Sequence, residues 1–241
     1  MKLAVIPARG GSKRIPRKNI RPFAGRPIIA YSVQTALESG CFDRLVVSTD
    51  DPEIASVARE YGAEVPFLRP AALSGDFVGT NAVIRHAIEW FNATGPAVDF
   101  ACSIYPTAPL LQPAYLRRGF DALIASAKVF AIGVTSFAFP IQRAVRLLSD
   151  GTIDAIFPEH RMTRSQDLEP AYHDAGQFLW GRARGFLEDM APFSTATLAV
   201  EIPRHLVVDI DTHEDWDLAE LLYRAAQISR RSDRIDPMEV K

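Results

Sequence analysis

The residues with the clearest chemical potential are consecutive: Ala8-Arg9-Gly10-Gly11-Ser12-Lys13-Arg14-Ile15-Pro16-Arg17-Lys18-Asn19. Gly10 and Gly11 let backbone N–H groups approach an anion, Ser12 adds a hydroxyl donor, and Arg9, Lys13, Arg14, Arg17 and Lys18 supply charge. That set suits a triphosphate. The segment is neither a Walker A loop, which ends Gly-Lys-Ser/Thr, nor the dinucleotide fingerprint, whose third glycine opens a helix. A solvated basic loop with turn-forming glycines is the plainer alternative. The loop directly follows a strand, where doubly wound sheets bind ligands at their carboxyl edge, and this favours the anion site.

A second constellation is Val207-Val208-Asp209-Ile210-Asp211. On an extended chain the two carboxylates point to one side. Paired hard oxygen ligands suit Mg²⁺, which takes one or two carboxylates and completes its shell with water and substrate phosphates. The competing reading makes Asp211 or Thr212 the N-cap of a helix beginning near Glu214. Helix capping accounts for Asp51 and leaves Asp50 as an outer partner of the site. His86 reads as structural.

Positioning these groups requires alternating strands and helices. Strands are expected at Lys2–Ile6, Arg44–Ser48, Asp99–Ile104, Val129–Thr135, Thr197–Glu201 and His205–Val208. Helices are expected at Pro27–Glu38, Ile54–Tyr61, Thr80–Asn92, Pro113–Ala127, Arg182–Asp189 and Glu214–Ser229, with Gly40 and Gly62 as stops and Asp51-Pro52-Glu53 as a start. This is the signature of βαβ units and a mainly parallel sheet, an α/β fold. The alternation falters between residues 137 and 180, which read as an insertion, a lid or dimer arm, with a hairpin turn at Asp150-Gly151. Residues 1–241 thus read as one domain carrying that insertion, and the charged last dozen residues as a frayed end.

Composition bounds the partners. Lys and Arg total 27 against 29 Asp and Glu, so the net charge of −2 creates no global field for nucleic acid or an anionic membrane. The apolar run Leu3-Ala4-Val5-Ile6 is too short for a signal peptide or a membrane span. Cys41 and Cys102 lie among apolar neighbours and read as free thiols in a reducing, cytoplasmic setting.

The basic loop, the Asp209-x-Asp211 pair and Ser103-Ile104-Tyr105-Pro106-Thr107-Ala108-Pro109-Leu110 together resemble the cytidylyltransferases that activate sialic acid and its relatives, over nearly the whole chain. Arg164-Ser165-Gln166-Asp167-Leu168 and Tyr172-His173-Asp174-Ala175-Gly176-Gln177-Phe178 are similar to the pseudaminic acid subgroup. Sialic acid enzymes carry Asn-Gly where this chain has Asp174-Ala175, and a lysine in the segment matching Phe139-Pro140-Ile141-Gln142-Arg143. These departures argue against plain N-acetylneuraminate.

The resemblance implies a Rossmann-like nucleotidyltransferase fold with an inserted dimerisation arm, and a homodimer. It implies that Ala8, Arg9, Gly10, Gly11, Ser12, Lys13, Lys18 and Asn19 hold CTP. Arg69, Ser74 and Asp76 would close around cytidine, Pro106 and Thr107 would line the base pocket, and Asp209 and Asp211 would carry Mg²⁺. The sugar side would draw on Arg143, Arg164, Gln166, Tyr172, His173, Asp174 and Gln177. Arg143 and Arg164 are alternative forks for the sugar carboxylate, and His173 is equally compatible with a packed neutral ring. Arg69 has the alternative of an ordinary surface residue.

The implied reaction is in-line attack of an anomeric hydroxyl on the α-phosphorus of CTP with loss of pyrophosphate. Lys13 and Arg9 would stabilise charge on the phosphates, and Asp211 and a metal-bound hydroxide are both open as the base. Pseudaminic acid is the first candidate acceptor, with legionaminate, N-acetylneuraminate and an octulosonate as alternatives. A metal-dependent glycosyltransferase would share the Asp-x-Asp pair, but has no call for such a loop after strand one. A catalytically silent nucleotide-binding module is the remaining alternative.

Overall fold

A computed structural model describes residues 1–232; the charged stretch beyond, expected to fray, lies outside them. The first strand, β1 (Lys2–Pro7), carries an unbroken apolar run. Ala4 and Ile6 enter one hydrophobic layer and Leu3 and Val5 the other, all fully buried. A strand covered on both faces belongs inside a parallel sheet, and β1 is flanked by parallel neighbours on both sides.

The chain continues through the two-residue strands β2 (Pro22–Phe23) and β3 (Arg26–Pro27), α1 (Ile28–Ser39) and β4 (Arg44–Ser48). Next come α2 (Pro52–Glu60), α3 (Thr80–Thr94), β5 (Phe100–Ile104), α4 (Pro113–Ile124) and β6 (Phe130–Ser136). Their punctuation follows the local chemistry. Gly40 closes α1 at φ 65°, and the Asp51 carboxylate accepts the N–H groups of Glu53 and Ile54 at the start of α2.

After β6 come β7 (Val145–Leu147) and β8 (Ile153–Ala155), then β9 (Tyr172–Arg182), α5 (Ala183–Leu187), β10 (Thr197–Glu201) and α6 (His213–Ser232). The main sheet has the order β10-β6-β9-β5-β1-β4, and β9 alone in it runs antiparallel, to both β5 and β6. Helices α1, α2 and α4 cover one face, while α3 and α5 cover the other.

Two expectations are corrected here. The stretch 137–180 is not wholly an excursion: from Tyr172 onward it is an interior strand of the sheet. Its composition hid this, because His173, Asp174, Gly176, Gln177 and Gly181 break any apolar alternation, and both ladder partners lie far away in sequence. Residues 137–171 do stand outside the sheet, with the β7–β8 hairpin turning at Gly151, φ 83°. His205–Val208 is likewise no strand. Ile202 makes the last β10 contact with β6, donating to the Val134 carbonyl at 2.8 Å; Pro203 has no N–H to extend the ladder, and a 3₁₀ turn follows at Arg204–Leu206.

A third, aromatic cluster joins the segment around β2 and α1 to α6. Phe23 makes edge-to-face contacts with Tyr31, Trp216 and Tyr223, at ring separations of 5.5, 5.5 and 5.6 Å. This seats α6, and with it the residues just before it, beside the loop after β1. Cys41 and Cys102 are buried and unpaired. Among the described residues no helix is long and apolar enough to cross a membrane.

Candidate active site

At the carboxyl edge of β1 the sheet opens into a cleft of about 580 Å³, within the range of small-molecule sites. Arg9, Ser12, Lys13, Lys18, Asn19, Arg69, Asp76, Pro106 and Thr107 line it, and so do Asp209 and Asp211. The basic turn and the two aspartates, nearly two hundred residues apart, therefore face one space. Arg14 joins them, along with Tyr105, Thr80, Leu73, Val78 and Val83, for which sequence gave no specific role. Val78, Thr80 and Val83 reach the cleft because the start of α3 abuts it, a tertiary fact without a local motif.

Four residues of the expected nucleotide set lie off the cleft lining. Ala8 is buried and its N–H continues the sheet to the Ser48 carbonyl at 2.9 Å. Gly10 gives its N–H to Asp50 Oδ1 at 3.0 Å, so this amide is not offered to an anion. Gly10 is required for space instead, since a Cβ there would meet Asp51 Oδ2 at 2.6 Å. Gly11 faces open space. Ser74 acts through Arg69, accepting from its Nε at 3.3 Å.

The cations divide into three groups. Arg9 and Lys13 converge on the Asp76 carboxylate, whose pKa these pairs hold below the usual range, Lys13 first. Arg14 and Lys18 lie 2.8 and 3.4 Å from Asp211 Oδ1, and Lys18 also donates to the Ile210 carbonyl at 2.6 Å. Arg17 turns away: in a left-handed conformation at φ 56° it pairs with Asp51 and Glu53 at the head of α2. Its charge is spent on fixing the loop to the fold. Asn19, buried, donates to the Arg9 carbonyl at 2.9 Å and sets that residue's backbone.

The structure also decides what caps α6. Thr212 and Asp215 form a reciprocal pair, in which Asp215 Oδ2 accepts the N–H groups of Asp211 and Thr212 and Thr212 Oγ1 accepts the Asp215 N–H. Asp211 is thereby released from capping duty. Asp209 is exposed to the cleft, yet desolvation of its carboxylate first, then the charge of Asp211, pushes its carboxyl above the ordinary range. Two like-charged carboxylates held close are a fitting donor set for a hard divalent cation. Among the described residues there is no cluster of three or more His, Cys, Asp or Glu able to hold a metal, so other oxygens would have to complete its shell.

A second cavity of about 340 Å³ shares Thr80 and Tyr105 with the first. Its apolar walls are Ile132, Phe178, Leu179, Pro192 and Phe193, with Asn81, Ser103, Asp174 and Asp189 among its polar groups. Asp174 accepts from the Tyr105 hydroxyl at 3.3 Å, and burial together with Asp174 pushes that phenol well up. Of the expected sugar residues Asp174 alone lines either cavity. Gln177 is buried behind, its amide donating to the Leu206 carbonyl. Tyr172 and His173 sit at the outer end of β9, the latter against Phe137 at 4.8 Å. Arg143, Arg164 and Gln166 lie on the excursion, where Arg143 donates to the Arg161 and Thr163 carbonyls and Arg164 pairs with Asp167.

Gly176 ties the two cavities together. It sits at φ 61°, and a Cβ there would press on Asp209 Cγ at 3.3 Å. Gly176→Ala should cost about 1–2 kcal/mol from the left-handed backbone alone, and should also displace Asp209 and slow turnover. A thermal melt with a parallel rate measurement checks both, and unchanged turnover would count against Asp209 as a site residue.

A mainly parallel α/β sheet with a cation-rich turn after its first strand and an acidic pair in the same cleft has the architecture of a nucleotidyltransferase. A profile of the cytidylyltransferase family matches residues 3–194. The chain is 44% identical over 222 residues to a pseudaminic acid cytidylyltransferase of Campylobacter jejuni subsp. jejuni, spanning 92% of this chain and 96% of that one. It is 34% identical over 235 residues to a CMP-N,N'-diacetyllegionaminic acid synthase of Legionella pneumophila, spanning 93% and 97%. Among solved structures, a CMP:2-keto-3-deoxy-manno-octonic acid synthetase complexed with CTP superimposes with a TM-score of 0.67 at 17% identity, covering 94% and 99%, a likeness of fold. The chain belongs to the cytidylyltransferase family, and the glycosyltransferase and silent-module alternatives fall away.

Proposed function

We propose that this enzyme transfers CMP from CTP to the anomeric hydroxyl of an acidic nine-carbon keto sugar, with pseudaminic acid as the first candidate and legionaminate as the second. The observation that carries the reading is the shared cleft, which Arg9, Lys13, Asp209 and Asp211 all line. Identity of 44% to a pseudaminic acid cytidylyltransferase supports the acceptor.

CTP would enter with its phosphates toward Arg9 and Lys13, displacing the Asp76 carboxylate that these cations now hold. Pro106, Thr107 and Arg69 would flank the nucleoside. Mg²⁺, held by Asp209 and Asp211, would neutralise charge on the phosphates. The sugar would occupy the neighbouring cavity, whose apolar walls suit acyl methyl groups and whose Asp174 can accept from an amide or hydroxyl. Its anomeric oxygen would attack the α-phosphorus in line, and pyrophosphate would leave. Little covalent help is needed, so positioning and electrostatics carry the rate.

Residues 137–171 expose Phe139, Leu147, Ile153 and Met162. A second copy of the chain covering these residues, in a cytoplasmic homodimer, is the assembly proposed; Arg143 and Arg164 would then lie at the interface. Pyrophosphate release with CTP and each of pseudaminate, legionaminate, N-acetylneuraminate and an octulosonate tests the acceptor. The highest kcat/KM is expected with pseudaminate, and a clear preference for another sugar would replace it.

A further inference from the structure

Asp50 stands behind the wall of the nucleotide cleft and does not line it. Its Oδ1 accepts the Gly10 N–H at 3.0 Å and lies 3.6 Å from Arg69 Nη2. One carboxylate oxygen thus meets both the first glycine of the basic turn and the guanidinium of another residue lining the cleft. Arg69 has a side chain only 3% exposed, and among the described residues Asp50 is its ion-pair partner. Its backbone N–H is tied to the Thr49 carbonyl at 2.7 Å, next to Asp50 itself. Burial disfavours the charged guanidinium and Arg9 adds repulsion, while Asp50 opposes both and offsets them in part. Asp51, by contrast, is fully engaged in capping α2 and pairing Arg17.

We infer that Asp50 is a positioning residue for CTP: it fixes the spacing between Gly10 and Arg69, so that Arg9 and Arg69 can face one cleft despite their like charge. A buried guanidinium with a single carboxylate behind it keeps donors for a ligand in front. The inference rests on reading the cleft as the CTP site.

The test compares Asp50→Ala, which removes both contacts, with Asp50→Asn, whose amide oxygen still accepts from Gly10 but carries no charge for Arg69. Steady-state rates with CTP and the preferred sugar are measured alongside thermal melts. Asp50→Ala should raise the KM for CTP about tenfold or more and leave the sugar KM within about twofold, with Asp50→Asn recovering part of the loss. A CTP KM unchanged in Asp50→Ala, or both KM values rising together with no recovery in Asp50→Asn, overturns the assignment. If Asp50→Ala does not fold, Asp50→Asn decides alone: a selective rise in the CTP KM supports the role, and no rise removes it. Lys13→Ala run in parallel separates the two levels. If it too leaves the kinetics with CTP untouched, the cleft reading fails and Asp50 falls with it; if it is impaired while the Asp50 variants are normal, the positioning role alone is lost.

Discussion

Lys13→Ala should lower kcat/KM by a hundredfold to a thousandfold while leaving the melting temperature unchanged. The side chain is 80% exposed and its partner is the exposed Asp76, so its removal opens no cavity and strands no buried charge. Surface pairs of this kind contribute little to stability. In the transition state the same ammonium would meet charge spreading over phosphate oxygens, where loss of one such group costs about 2.7–4 kcal/mol. Lys13→Arg should restore part of the activity by restoring charge with different geometry. Near wild-type turnover in Lys13→Ala would remove it from the phosphate site.

Asp209→Asn should abolish most activity, by a hundredfold or more, and at the same time raise the thermal stability of the metal-free protein. Both effects have one source. Desolvation and the neighbouring Asp211 disfavour the ionised carboxylate, so its pKa in the folded state stands above the unfolded value. The folded state is therefore relatively favoured at low pH, below the unfolded pKa, and loses that advantage as pH rises through the raised folded value. At neutral pH wild-type Asp209 is a charge the fold resists, and a neutral amide of the same shape removes the penalty. A bound divalent cation would remove it too. Melts with and without Mg²⁺ should show the wild type gaining stability and Asp209→Asn gaining less; equal gains in both would take Asp209 out of the metal site.

Much of the framework was readable from local chemistry. The Arg44–Ser48 strand, the Asp51-Pro52 helix start and the Gly40 stop depend on residues within a turn of one another, and all three stand where pattern and capping put them. The basic loop was legible because charge and glycine are concentrated in consecutive positions. The interior strand β9 was not, because its stability comes from the ladders of β5 and β6 and the packing of Phe130 and Phe186 on Gly181, contacts with no trace in its own alternation.

Within the site the same division holds. Residue types alone singled out the basic turn and the acidic pair as candidates, since five cations and two carboxylates at close spacing are costly without a counter-charge. Which member of each set faces the cleft was a tertiary decision. Arg17 was drawn off by Asp51 and Glu53, the Gly10 amide was taken by Asp50, and Asp211 was freed because Thr212 and Asp215 cap α6. Sequence can count donors and acceptors, but hydrogen bonds and ion pairs form over a few ångströms, and only the folded chain fixes which groups come within that reach.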